Sequence, residues 1–300
     1  MTLNHEVNKE RERNCVMLKT SDSRSIAEGI WSLTLKPAKE EKTISGVEPG
    51  QFIMVYPKDA STLLPRPLSI CDWDEESSAI RLVFRLVGKG TQEFAQYEEG
   101  ELVRVLGPLG RGYDLSFLTG KKVLLVGGGI GAPPLLFLAR TLYRMNEELH
   151  EDTAHVSCHE ENRKQESYLV TSVLGYRTND LFLADEFQQF SHVIVATDDG
   201  SAGIHGNAVE AARKFMQDNP KERFDAICAC GPHPMLSSVK KLGEEWHIPV
   251  WVSLEERMAC GVGVCLGCTV ETMHEDEHSH VKRARVCTEG PVFRAEDVIL

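Results

Sequence analysis

Four cysteines near the end of the chain, Cys260, Cys265, Cys268 and Cys287, constrain its fold more than any other feature. They read C-x4-C-x2-C, then eighteen residues, then C. That is the plant-type spacing for a [2Fe–2S] cluster held by four thiolates. Three of the thiolates must converge from one short loop. Gly261, Gly263 and Gly267 let the loop backbone fold around inorganic sulfur without Cβ clashes. A four-cysteine zinc site and plain thiols are the competing readings. Zinc sites usually present two C-x2-C knuckles, and here Cys287 stands alone. A cluster takes one electron at a time, so electron traffic is the expected work of this chain.

Composition bounds the rest. A length of 300 residues suggests two or three domains, and 42% hydrophobic content is ample for their cores. No run of eighteen apolar residues occurs, so no membrane span is expected. Residues 1–14 are polar and mixed in charge and do not read as a secretory signal. The nine cysteines are then expected to be reduced thiols or cluster ligands in a cytoplasmic protein. A net charge of −12 argues against nucleic-acid binding, which needs basic faces.

The chain divides into a charged extension (1–14), an all-β stretch (15–118), an alternating α/β stretch (119–253) and a cluster module (254–300). Alternating apolar residues predict strands at 30–35, 51–56, 79–87 and 102–106, punctuated by Gly and Pro. Short strands so spaced suggest a small antiparallel β-barrel. Further on, strands are expected at 123–126, 168–174, 192–196, 225–229 and 250–253. Helices are expected at 134–149, 207–217 and 234–246. That alternation is an α/β doubly wound parallel sheet. Residues 147–166 are polar and read as a surface insertion with some further helix. The charged stretch 273–282, with His274, His278 and His280, reads as an exposed hairpin loop.

Five motifs carry candidate chemistry. Gly127, Gly128, Gly129, Ile130 and Gly131 follow the first strand of the α/β stretch and open its first helix. Such a turn lets a pyrophosphate approach backbone N–H groups, though a plain tight turn would look alike. Arg66, Pro67, Leu68 and Ser69 offer a guanidinium and a hydroxyl for a phosphate and a flavin edge, or an ordinary X-Pro turn. Val83, Phe84 and Arg85 lead into Gly88-Lys89-Gly90-Thr91, which reads as a hairpin or as a phosphate cradle with Thr91 capping a helix. Cys230, Gly231 and Pro232 end a strand where ligands bind in open sheets. Cys230 there would touch a nicotinamide or be a buried small hydrophobe. Asp198 and Asp199 follow another strand and suit a ribose 2′-OH or a solvated turn.

In this order, R-P-L-S, G-K-G-T, G-G-G-I-G-x-P-P and C-G-P resemble the ferredoxin-reductase superfamily. The segments S-L-E-E-R-M-A-C-G-V-G-V-C-L-G-C and R-V-C-T-E-G-P-V-F narrow the resemblance to the electron transfer subunits of type B dihydroorotate dehydrogenases. It covers the chain from about Cys15 onward, apart from the insertion. It implies FAD on Arg66 to Ser69, Val83 to Arg85, Gly90 and Thr91. It implies NAD(H) on Gly127 to Gly131, Asp198 and Cys230 to Pro232, with the cluster on the four cysteines. It also implies an FMN-containing catalytic subunit as partner, in a hetero-oligomer expected to be a heterotetramer.

The cofactors belong together chemically. NADH delivers two electrons as a hydride, a cluster accepts one, and a flavin converts between the two. No Ser-His or metal-hydrolase spacing points to an organic substrate site of the chain's own. The alternatives are a reductase subunit of another complex (hydrogenase, transhydrogenase-like or oxygenase) and a non-redox protein with structural zinc.

Overall fold

The computed structural model describes residues 14–38, 44–153, 169–275 and 280–300. The charged extension, most of the insertion and part of the His-containing loop lie outside these residues.

Six antiparallel strands close a barrel: β1 (Asn14–Ala27), β2 (Ile30–Pro37), β3 (Phe52–Val55), β4 (Arg66–Asp74), β5 (Ala79–Arg85) and β6 (Leu102–Leu109), in the order β1-β2-β5-β4-β3-β6. Period-two pairs fill its interior: Leu33 and Leu35, Ile53 and Val55, Ile80 and Leu82, Val103 and Val105. Each fully buried aliphatic side chain contributes about 1.5–3 kcal/mol.

Two of these strands differ from the sequence reading. β1 has no counterpart there, because K-T-S-D-S-R-S lacks apolar alternation. It is held by its two neighbours in the barrel and interrupted by two register shifts against β2. β4 begins where Pro65 to Pro67 read as punctuation. Pro67 is tolerated because residues 66–69 pair only with β3, and pairing with β5 starts at Ile70.

Gly88 to Thr91 is not a hairpin. It opens the short helix α1 (Lys89–Phe94), and Phe94 fills the barrel end in edge contact with Phe84. A second short helix, α2 (Leu115–Leu118), leads out of the barrel.

Beyond it lies the expected α/β unit. Strands β7 (Val123–Gly128), β8 (Val170–Tyr176), β9 (His192–Thr197), β10 (Ile204–His205), β11 (Ala226–Cys230) and β12 (Val250–Ser253) are parallel, in the order β10-β9-β8-β7-β11-β12. Helices α3 (Ala132–Thr153), α4 (Ala184–Phe187), α5 (Ala208–Asp218) and α6 (His233–Trp246) accompany them. Strand β7 shows why both sheet faces must be covered. Val123 and Leu125 pack with Leu135, Leu138 and Leu142 of α3, whereas Leu124 and Val126 face the core of α5 and α6. α3 continues through the first part of the expected insertion, to Thr153. At α5, Asn207 Oδ1 accepts from the N–H groups of Val209 and Glu210, and Glu210 accepts from the Asn207 N–H, closing a capping box.

Two ion pairs fasten barrel to sheet. Arg81 donates to both carboxylate oxygens of Glu186 at 2.5 and 3.0 Å, and Arg140 of α3 pairs with Asp72 of β4. The C-terminal segment forms the hairpin β13 (Thr269–Glu271) and β14 (Arg283–Arg285), then β15 (Val292–Arg294), which adds antiparallel to β12.

Candidate redox site

The hairpin solves the problem of the lone fourth cysteine. β13 and β14 pair Thr269 with Arg285, and the Val286 N–H donates to the Cys268 carbonyl at 2.9 Å. Cys287 is thereby delivered beside Cys268, and both are buried. In the loop before them, the N–H groups of Val262 and Cys265 point at Cys260 Sγ from 3.5 and 3.4 Å, and the Gly267 N–H points at Cys265 Sγ from 3.5 Å. Burial pushes the Cys260 thiol up, but donors from Cys265 and Val262 outweigh it and bring it to about 6. Burial, with the neighbouring Cys268 thiol, pushes Cys287 up to about 12.

Cys265 neighbours Cys260 and Cys268 neighbours Cys287, and Cys260 is also near enough to act on Cys287. Among the described residues, no three His, Cys, Asp or Glu side chains gather closely enough for a single ion. Four thiolates gathered from one loop and one hairpin suit two irons, each taking two. The chemistry of the donor set and the N–H groups aimed at sulfur fit a [2Fe–2S] cluster.

The loop leans on the barrel. Gly261 has φ +69°, and a Cβ there would fall 2.7 Å from Met54 Cγ of β3. Next to it opens a cleft of about 710 Å³, walled by Leu64 to Pro67 on one side and Glu255 to Met258 on the other. That size suits a cofactor. Arg66 is half-buried here. It donates to the Leu64 carbonyl at 2.7 Å, and its guanidinium lies against Gly90, where a Cβ would be 3.1 Å from Nε.

At the sheet, Gly127 of β7 pairs with Cys230 of β11, so the glycine turn and the Cys230 to Pro232 segment share one carboxyl edge. Gly128 faces Pro232 and Met235. Gly129 to Gly131 form a single tight turn, and α3 follows directly with its prolines in the first turn. Arg85 reaches over from the barrel, 3.6 Å from the Cβ position of Gly129. Asp198 lies on the same edge after β9; its N–H donates to the Tyr176 carbonyl, and its side chain is exposed. It is two strand spacings from β7, about 10 Å.

The C-terminal part, residues 255–299, matches the family model for the iron-sulfur cluster binding domain of dihydroorotate dehydrogenase B. Over the whole chain, the electron transfer subunit of dihydroorotate dehydrogenase B (NAD(+)) from Bacillus caldolyticus is 38% identical over 294 residues, covering 97% of this chain and 99% of that protein. The subunit of the same name from Listeria monocytogenes is 35% identical over 285 residues, covering 94% and 98%. This chain belongs to the dihydroorotate dehydrogenase B electron transfer subunit family.

Among solved structures, an NADH-dependent reduced ferredoxin-NADP oxidoreductase studied for flavin-based electron bifurcation aligns with TM-score 0.71 at 28% identity, covering 95% of this chain and 91% of that one. A ferredoxin NADP+ reductase from Neisseria gonorrhoeae shares the fold, with TM-score 0.57 at 14% identity, covering 78% and 92%. A dihydroorotate dehydrogenase B electron transfer subunit is part of an oxidoreductase, and no helix among the described residues is long and apolar enough to cross a membrane.

Several of the expected site residues are less open than their motifs suggest. The side chains of Val83, Phe84 and Leu68 are buried in the hydrophobic cores, so only their backbone can face a ligand. Ser69 is half-buried beside them. The Thr91 hydroxyl accepts from the Val87 and Gly88 N–H groups and donates to the Gly88 carbonyl, which makes it a cap rather than a free phosphate donor. Cys230 is 1% exposed, and burial pushes its thiol up despite a contact with Ser253. Asp199 is committed to Ser201, whose N–H and hydroxyl it accepts.

Sequence reasoning passed over Glu255 to Met258, the second wall of the cleft. They follow β12 after one residue, Leu254, at the same carboxyl edge, and that position was the available signal. Glu255 opens to solvent, yet the surrounding protein raises its carboxyl above the ordinary range while Arg85 pulls it down.

Proposed function

We propose that this chain carries electrons between NAD(H) and an FMN-bearing catalytic subunit that interconverts dihydroorotate and orotate in pyrimidine biosynthesis. The assembly is a heterotetramer in the cytoplasm. The barrel (15–118) holds FAD, the sheet (119–253) holds NAD(H), and the C-terminal module (254–300) holds the cluster.

The carrying observation is the segment from Glu255 to Cys260. Glu255 sits near Arg85 and Cys230 at the sheet edge, Met258 lines the cleft, and Cys260 follows two residues later. Two residues span at most about 7 Å. One short stretch of chain thus runs from the sheet edge past the cleft to the cysteine loop, which supports seating the three cofactors side by side.

FAD and a [2Fe–2S] cluster, when bound, supply the conversion between two-electron hydride exchange and one-electron transfer. The residues around them bind and orient. Arg66 offers a guanidinium to the flavin pyrophosphate, backed by Gly90 and the Leu64 carbonyl. Gly129 to Gly131 leave backbone N–H groups open to the NAD(H) pyrophosphate at the start of α3. Cys230 and Gly231, at the end of β11, form the floor on which a nicotinamide would lie. Glu255, whose carboxyl is raised by burial against the pull of Arg85, stands at the cleft wall.

A reductase subunit of another complex is the second reading, favoured by the alignment with the bifurcating oxidoreductase over 95% of this chain. Reconstitution with a separately expressed FMN catalytic subunit tests both. The expected result is dihydroorotate-dependent NAD+ reduction by the complex and none by either chain alone, with loss of that activity in Cys265→Ala. Turnover of dihydroorotate by this chain alone, or full NAD+-linked turnover by the Cys265→Ala complex, would overturn the proposal.

A further inference from the structure

Thr288 directly follows the ligand Cys287. Its hydroxyl is shielded from solvent and has no hydrogen-bond partner among the described residues. Its side chain packs into the cluster loop: a Cβ on Gly263 would lie 2.9 Å from Thr288 Cγ2 and 3.4 Å from Oγ1. The Gly263 N–H in turn points at the Cys287 sulfur. The orphaned hydroxyl is therefore folded into the same turn of chain that wraps the four thiols.

A buried hydroxyl without a partner is destabilising, and valine would fill the same volume without that cost. A hydroxyl kept in such a place needs an acceptor. The cysteine sulfurs are already in place and do not partner it, so the acceptors that assembly of the centre would add here are the inorganic sulfides of the cluster. The Cys260 and Cys265 sulfurs already have donors in backbone N–H groups of the loop, at Val262, Cys265 and Gly267. Thr288 would supply a side-chain donor from the turn that follows β14.

We infer that the Thr288 hydroxyl donates a hydrogen bond to a sulfur of the [2Fe–2S] centre and raises its reduction potential. A donor stabilises the reduced, more negative centre more than the oxidised one. The bond makes the centre a better acceptor for electrons arriving from the catalytic subunit. The inference rests on the assignment of the cluster to the four cysteines.

The test uses the full chain in complex with its catalytic subunit, as wild type, Thr288→Val, Thr288→Ser and Thr288→Ala. Iron and acid-labile sulfide are measured first, then the midpoint potential by EPR-monitored titration. Thr288→Val is expected to lower the potential by roughly a tenfold change in the one-electron equilibrium, about 59 mV, whereas Thr288→Ser stays near wild type. Pulsed EPR of the reduced protein should show an exchangeable proton coupling that Thr288→Val abolishes. If Thr288→Val fails to load iron, the Thr288→Ala and Thr288→Ser pair decides by the same criterion. Equal potentials in iron-loaded wild type and hydroxyl-free variants, or a Ser variant shifted as far as they are, would overturn the inference. A wild-type protein without iron would overturn the cluster assignment beneath it.

Discussion

Gly131 lies so close to Cys230 that no side chain fits between them. A Cβ on Gly131 would fall 2.1 Å from the Cys230 carbonyl oxygen and 2.7 Å from the Gly231 nitrogen. Both contacts are backbone, so no rotamer change relieves them. Gly131→Ala must push the start of α3 away from the end of β11, the two elements that frame the proposed nicotinamide site. Overpacking of this kind costs about 1–3 kcal/mol. The expected outcome is a lowered Tm and a raised KM for NADH, with FAD content near normal. Thermal unfolding and steady-state diaphorase assays check it.

Arg66 stands against the bare backbone of Gly90, with its guanidinium facing the cleft. A charge-assisted hydrogen bond to phosphate contributes about 1.5–3 kcal/mol. Arg66→Ala should therefore weaken FAD binding by about tenfold or more. The Thr91 cap stays intact, so the barrel should keep its fold. Flavin retained on dilute dialysis, set against far-UV circular dichroism, is the measurement; full occupancy in the variant would refute the assignment.

Asp198 and Asp199 looked equivalent in the sequence, but Asp199 is held by Ser201, which keeps its carboxyl below the ordinary range. Among the described residues, no side-chain hydrogen bond commits Asp198. Asp198 is thus the carboxylate available to a ribose 2′-OH and the one that repels a 2′-phosphate. Asp198→Ser should move the NADPH/NADH ratio of kcat/KM toward NADPH by roughly tenfold, the equivalent of about 1.4 kcal/mol. Asp199→Ser should move it much less. Comparable ratios in wild type and both variants would count against this.

Val264 and Leu266 project from the cluster loop at 79% and 60% exposure, and Leu266 holds a left-handed backbone, φ +58°. Val262, by contrast, packs partly against the core. An exposed apolar pair beside the electron outlet suits a docking face. Val264→Glu with Leu266→Glu should weaken association with the catalytic subunit at least tenfold while NADH-to-dye activity survives. Analytical ultracentrifugation and dye reduction separate the two effects. Undiminished complex formation would exclude this face.

The sequence alone determined the elements whose signal is local. The period-two runs of the barrel, the strand-turn-helix at Gly127 to Gly131, and an iron-sulfur module from the cysteine spacing were legible, because neighbouring residues carry the pattern. The strand β1 was not, since its polar residues are held by ladders to β2 and β6 far along the chain. Nor was the second wall of the cleft: Glu255 to Met258 meet Arg66 only because the sheet edge packs against the barrel, secured by Arg81 with Glu186 and Arg140 with Asp72. Likewise, Cys287 joins Cys268 through the β13–β14 ladder, and Thr91 turns inward to cap α1. These are contacts between residues distant in sequence or choices among partners of one side chain. Burial and backbone pairing settle them only once the chain is folded.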